Sequence, residues 1–191
     1  RLNVFAAVDF AFSLRRRADY TCVIAVGVDA DSNYYILEID RFKTEKISDY
    51  FDHILKLHQK WDFRKLRAEV SVGQATIVKE LKDHYIRPYG LSLSIDEFRP
   101  SRAQGTKEER IEAVLQPKYN NQQIWHYPGG NCQVLEEELV LTNPPHDDLK
   151  DALASCIDAC VPPTGSGHGM SRQREVLRSL SHSRFGGIGA R

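Results

Sequence analysis

The chain has 191 residues, 41% of them hydrophobic and 27% charged, with glycine and proline at ordinary levels. That composition excludes collagen-like, mucin-like and wholly disordered chains, and the length supports one well-packed domain without disulfides to stabilise it. The 26 basic and 26 acidic residues cancel, so the chain as a whole lacks the positive excess of a typical nucleic-acid binder. The distribution is uneven, however: the residues beyond Val161 hold five Arg and one Glu, and residues 1–161 hold 21 basic against 25 acidic residues. We expect an acidic domain over residues 1–161 and a flexible basic tail over 162–191, suited to contact with DNA phosphates or a capsid partner.

No stretch approaches the ~18 apolar residues of a membrane span. The first twenty residues place their basic side chains after the apolar run and show no cleavage pattern, so the expectation is synthesis in a cytoplasm, without secretion. Cys22 and Cys132 stand alone, and Cys156 and Cys160 are spaced i, i+4. They read as core thiols, because the CxxC spacing of zinc knuckles and redox motifs is missing.

Residues 2–10, 20–28 and 34–42 are apolar or partly alternating runs, separated by a charged turn and by Asp29-Ala-Asp-Ser-Asn33. They predict three strands in an antiparallel meander. From Ile47 the apolar residues Tyr50, Phe51, Ile54, Leu57 and Trp61 share one helical face, predicting a helix that covers the sheet. A strand at 66–71, a helix at 75–85 and a strand at 91–98 then form a βαβ pattern with a right-handed crossover. Thr106 and Glu109 make a capping box for a helix over 106–115. Gln123–Tyr127 reads as a weak strand, Val134–Leu141 as an amphipathic helix, and a last helix follows His146 and stops at Pro162-Pro163. A short helix is possible at 172–180. The sheet is therefore mixed, antiparallel first and parallel later.

The acids carry the chemistry. Asp9 interrupts the apolar strand in Val8-Asp9-Phe10, and a charge there requires a partner or a metal. Glu69 holds a similar place near the end of the fourth strand. In Pro145-His-Asp-Asp-Leu-Lys-Asp-Ala, Asp148 and Asp151 are i, i+3 and Asp147 and Asp151 i, i+4, on one face of the last helix. Taken singly, each acid has a structural reading as an ion-paired strand residue or a helix cap; three acids in five residues exceed what a cap requires. If the first and fourth strands are neighbours, Asp9, Glu69 and Asp148 or Asp151 converge. Carboxylates so placed repel unless cations neutralise them, and oxygen-only donors favour Mg²⁺ or Mn²⁺ over zinc. Two such ions about 4 Å apart suit phosphodiester hydrolysis.

These segments together resemble the nuclease domain of the large terminase subunit of tailed bacteriophages, a ribonuclease H-like group related in core to Holliday-junction resolvases. The resemblance spans about residues 3–161 and lies in VDFA with ADYT after it, Glu69 followed by Gly73 and a helix, TKEERIEAVL and HDDLKDALA. Where the family often has an Asn and a further Gly after the second acid, this chain reads Glu69-Val-Ser-Val-Gly-Gln74.

The resemblance implies an α/β ribonuclease H-like fold with a mixed five-stranded sheet flanked by helices. It also implies a two-metal endonuclease that cuts concatemeric viral double-stranded DNA in the cytoplasm of an infected bacterium. The implied ligands of two Mg²⁺ or Mn²⁺ ions are Asp9, Glu69 and an acid of HDDLKDAL, Asp148 or Asp151 leading; read from their positions, Asp19 and Asp147 are candidate supporting residues, and His146 either supports a ligand carboxylate or simply enters the helix. Apart from the resemblance, the polar segment with Arg99, Arg102, Lys107 and Arg110 reads either as a contact with the DNA backbone beside the site or as a solvated loop and helix face. The implied partners are an ATPase domain, the portal and the small terminase subunit, with no membrane. No GxxxxGK[ST] loop occurs in the chain, so it reads as the nuclease part of a terminase without its motor. The rival readings are a junction-resolving nuclease and a non-catalytic portal-docking module.

Overall fold

A computed structural model of the chain describes residues 1–11, 20–100, 105–141 and 144–164. Asp19, Arg102 and the tail beyond Thr164 lie outside the described residues.

The meander forms as the apolar runs predict. β1 (Asn3–Asp9), β2 (Thr21–Val28) and β3 (Tyr34–Phe42) pair antiparallel, with a register shift between Ala25 and Val26. β2 is buried along its whole length, as a central strand covered on both faces must be. Asp29 fixes the β2–β3 turn by accepting from the amides of Asp31 and Asn33, both at 2.9 Å, and from the Tyr35 hydroxyl at 3.0 Å.

α1 (Ile47–Trp61) packs Tyr50, Phe51, Ile54 and Leu57 onto one face of the sheet and ends at Asp62 in a left-handed conformation. β4 (Lys65–Glu69) then lies parallel to β1 on its outer side, α2 (Val72–Glu80) runs directly into a π-helical turn at Leu81–Ile86, and β5 (Ser94–Phe98) lies parallel to β4.

The opposite face is covered by α3 (Lys107–Asn120), α4 (Asn131–Val140) and α5 (Asp148–Ala159). The predicted Thr106–Glu109 capping box is formed, with the Glu109 amide donating to Thr106 Oγ1 and the Thr106 amide to Glu109 Oε2. α3 extends five residues past the predicted end, through Pro117. The segment read as a weak strand becomes β6 (Ile124–Trp125), which pairs parallel with β3. The sheet thus has six strands in the order β5-β4-β1-β2-β3-β6, the expected mixed architecture with a two-residue strand added at one edge.

Cys22, Cys132 and Cys156 are buried and Cys160 is partly so; all four are free thiols, as the spacing implied. Among the described residues no helix is long and apolar enough to cross a membrane.

Candidate active site

Strand order and side-chain parity bring the acids together. β1 and β4 are parallel neighbours, with Val8 beside Ala68, so Asp9 and Glu69 close their strands at the same edge of the sheet. Successive side chains alternate between faces, which puts Asp9 on the same face as Ala7, the face covered by α5. Register runs Asp9 to Cys22 to Arg41 across three strands, so Arg41 joins the acids from β3.

The segment after Asp9 is pinned in place. The Ala11 amide donates to Thr21 Oγ1 at 3.0 Å, the Tyr50 hydroxyl to the Ala11 carbonyl at 2.7 Å, and Gln74 Nε2 to the Phe10 carbonyl at 3.0 Å. Gln74 also accepts from the Ser71 amide at 2.7 Å. The stretch that departs from the family pattern therefore ties the start of α2 to the end of β1.

α5 approaches this edge with its N-terminus, where Asp148 and Asp151 are both buried. The first turn of this helix is not capped by its own Asp147, which makes no side-chain cap. Instead Glu138 reaches from α4 and accepts from the amides of Leu149 at 2.9 Å and Lys150 at 3.1 Å. A carboxylate there satisfies two orphan amides and suits the positive end of the helix dipole. Burial nevertheless pushes the Glu138 carboxyl up to about 7, against those two hydrogen bonds.

Asp9 is the electrostatic centre. Burial first, then the charges of Asp151, Asp148 and Glu69, push its carboxyl up to about 8; Lys107 works the other way. The three acids of the sequence reading thus surround Asp9 closely enough to disfavour its ionisation.

Cationic side chains hold the cluster. Lys107 Nζ lies 2.9 Å from Asp151 and 3.2 Å from Asp147, and Arg110 is 3.4 Å from Glu69. Burial alone would lower the Lys107 pKa, but Asp151 and Asp147 raise it above the usual lysine value. Asp148 Oδ2 accepts from the Tyr20 amide at 3.0 Å and faces Arg41 at 3.6 Å. Arg41 and Lys43 both lie over the Tyr20 ring, 3.7 and 4.1 Å from its centroid, and His146 meets the same ring edge-on at 5.4 Å.

Of the residues read as DNA contacts, Lys107 and Arg110 are inside the acidic cluster, whereas Arg99 is exposed and 3.9 Å from Glu97. The sequence pattern does not single out Arg41, Lys43, Tyr20 or Glu138. Arg41 carries a retrievable signal, a cation in a strand that must face the covered side of the sheet; Glu138 carries none, because its role depends on how α4 meets α5.

The donor set is oxygen only, the chemistry of a hard divalent cation. Among the described residues no three Asp, Glu, His or Cys side chains form a group that could hold a metal ion; Lys107 is paired with Asp151 and Arg110 with Glu69. The residues fit divalent cations by charge and ligand type, and an ion would take over the neutralisation that these two side chains provide.

No protein-family model matches the chain, and no curated protein matches it in sequence. Solved structures do. The large terminase nuclease from thermophilic phage G20c with bound zinc superposes with a TM-score of 0.60 at 19% identity, over 84% of this chain and 82% of that one. A second structure of the G20c nuclease gives 0.57 at 16% identity, covering 83% and 84%. A Thermus thermophilus RuvC in complex with a Holliday junction substrate gives 0.47 at 14%, covering 81% and 90%. The chain shares the fold of the large terminase nuclease.

Proposed function

We propose that the chain is a metal-dependent endodeoxyribonuclease of the large-terminase type, which cuts concatemeric viral double-stranded DNA during genome packaging. The observation that carries the reading is Asp9, closing a core strand with Asp151, Asp148 and Glu69 around it, its carboxyl raised to about 8. Such crowding costs stability and has a chemical use when cations neutralise it.

Asp9, Glu69, Asp148 and Asp151 would hold two Mg²⁺ or Mn²⁺ ions. When bound, such ions supply Lewis acidity and an activated water for phosphodiester hydrolysis. The protein's own part is placement. The pinned end of β1 fixes Asp9, Arg110 holds Glu69, the Tyr20 amide and Arg41 fix Asp148, and Glu138 fixes the first turn of α5. Arg41, Lys43, Arg99, Lys107 and Arg110 give the surroundings positive charge for the scissile strand, recognised through its phosphates rather than its bases. Asp19, Asp147 and His146 serve as supporting groups. In this reading the nuclease works in the cytoplasm of an infected bacterium, with an ATPase domain, the portal and the small terminase subunit as partners.

The test is incubation with supercoiled plasmid in Mg²⁺, Mn²⁺ or EDTA, with a four-way junction as competing substrate. Nicking and linearisation only with metal, without discrete fragments, is the expected result. No cleavage in either metal would overturn the enzyme reading, and a strong preference for the junction would move the function to a resolvase.

A further inference from the structure

A groove of about 730 Å³ lies between α3, α4 and the start of α5, on surface that the acidic cluster does not use. Ile111, Leu115 and Leu139 give it an apolar lining, and the exposed Glu108, Glu112 and Glu136 surround that lining. Glu138 also lines it; this residue is 4% exposed, and among the described residues its Oε1 meets no hydrogen-bond donor while Oε2 holds the start of α5. Val140 and Leu141, 83% and 50% exposed, continue the apolar surface.

Exposed Val140 and Leu141 beside the carboxylates of Glu108, Glu112, Glu136 and Glu138, which outnumber Lys150 and the Glu136-paired His126 in the same lining, mark a binding surface, and the net charge defines its partner. Phosphate-rich ligands are repelled. A basic segment with apolar residues at close spacing is attracted, and the chain itself contains one. Residues 172–185, RQREVLRSLSHSRF, carry Arg172, Arg174, Arg178 and Arg184 against the single Glu175, with Val176, Leu177 and Leu180 between them.

We propose that this groove is the docking site of the chain's own residues 172–185. Reach permits it. Val161, just past the end of α5, is tied to Asn3 through its carbonyl at 3.0 Å, so the chain leaves the domain at the C-terminal end of that helix. The groove lies at the other end, a helix length of about 18 Å away at 1.5 Å per residue. The eight steps from Thr164 to Arg172 span up to about 26 Å when extended. The apolar residues of the segment cover Leu139, Val140 and Leu141, and its guanidiniums meet Glu108, Glu112 and Glu136.

A photo-crosslinking amino acid at position 177 of the full chain, irradiated without DNA, tests the assignment. The expected product has the mass of a single chain and maps by mass spectrometry to 108–119 or 136–141. Its yield should fall about tenfold in E112K/E136K, where two exposed attractions become repulsions, and should hold in E45K/E80K, an equal charge change elsewhere on the surface. A crosslinker at Ile188, outside the segment, should leave the groove unlabelled. Adducts elsewhere, adducts only between two chains, no adduct, or a yield unaffected by E112K/E136K would each overturn the proposal. Adducts that form only when DNA is added would make the segment a DNA arm instead. None of these outcomes depends on whether the chain cuts DNA.

Discussion

The two faces of the central sheet are built on different principles. Under α1 and α2 the core is Tyr50, Phe51, Ile54, Leu57, Phe63, Leu66, Val78 and Leu81. Its buried imidazole, His58, is satisfied locally by donating from Nδ1 to the Phe63 carbonyl at 2.9 Å. Under α3 to α5 an equally apolar core of Ile24, Leu149, Leu153 and Ile157 is bordered by buried Glu138, Asp148 and Asp151. The first face secures the fold. The second tolerates a like-charge cluster at one edge, which the proposed function would use, so substitutions on the two faces should separate stability from chemistry.

The largest separation is expected at Asp9 and Glu69. Asp9→Asn and Glu69→Gln should each reduce metal-dependent plasmid cleavage by more than the 10- to 100-fold typical of a residue that merely supports a ligand, with the circular dichroism spectrum retained. Wild-type cutting rates in either variant with Mn²⁺ would remove both acids from the site. On the first face the pattern should invert. Leu57→Ala, at a position 1% exposed, should cost roughly 2–5 kcal/mol, lowering Tm by roughly 2–4 °C per kcal/mol, while cleavage per folded molecule stays unchanged. A metal-dependent loss of activity there would blur the distinction between the faces.

A smaller effect has the opposite sign. In EDTA, Asp9→Asn removes a carboxylate that burial and three neighbouring acids disfavour, and should raise stability by on the order of 1 kcal/mol. Mn²⁺ should then raise the wild-type Tm more than that of the variant, because ligand binding to the native state stabilises in proportion to ln(1 + [L]/Kd). Equal Mn²⁺ shifts in wild type, Asp9→Asn and Asp148→Asn would show that these acids bind no metal.

How far the sequence carried these distinctions depends on the range of the interactions. Periodicity located α1 from its apolar stripe, and the capping box at Thr106 located the start of α3, because both signals are local. Strand pairing of β1 with β4 was stated only as a condition, yet that pairing is what unites Asp9 and Glu69. Lys107 and Arg110 read as DNA-backbone contacts from a polar segment that does not say what its helix meets; α3 docks beside α5 and pairs them with Asp151 and Glu69. The extension of α3 through Pro117 overrode a local helix breaker, and its buried Ile111 and Leu115 show the packing that holds the helix there. Glu138 stood in Glu136-Glu-Glu138 as one of three indistinguishable acids until α5 presented its amides to it.

The least effect, and the sharpest probe of the second face, is the pH response of Glu138. Its carboxyl is raised from an ordinary 4.5 to about 7, chiefly by burial. Between those values the unfolded chain has released the proton while the folded chain keeps it, so the native state binds more protons and stability falls as pH rises. Below 4.5 both states are protonated, and above about 7 both are ionised, so the slope is confined to that window. Glu138→Gln retains an acceptor for the amides of Leu149 and Lys150 and removes the titration. Urea unfolding of both proteins in EDTA at pH 5 and pH 8 should show the wild type losing on the order of 1 kcal/mol more than the variant over this interval. An identical pH dependence would mean that Glu138 stays ionised throughout as the cap of α5. A steeper loss in the variant would mean that the negative charge itself, acting on the helix dipole, outweighs the cost of burying it.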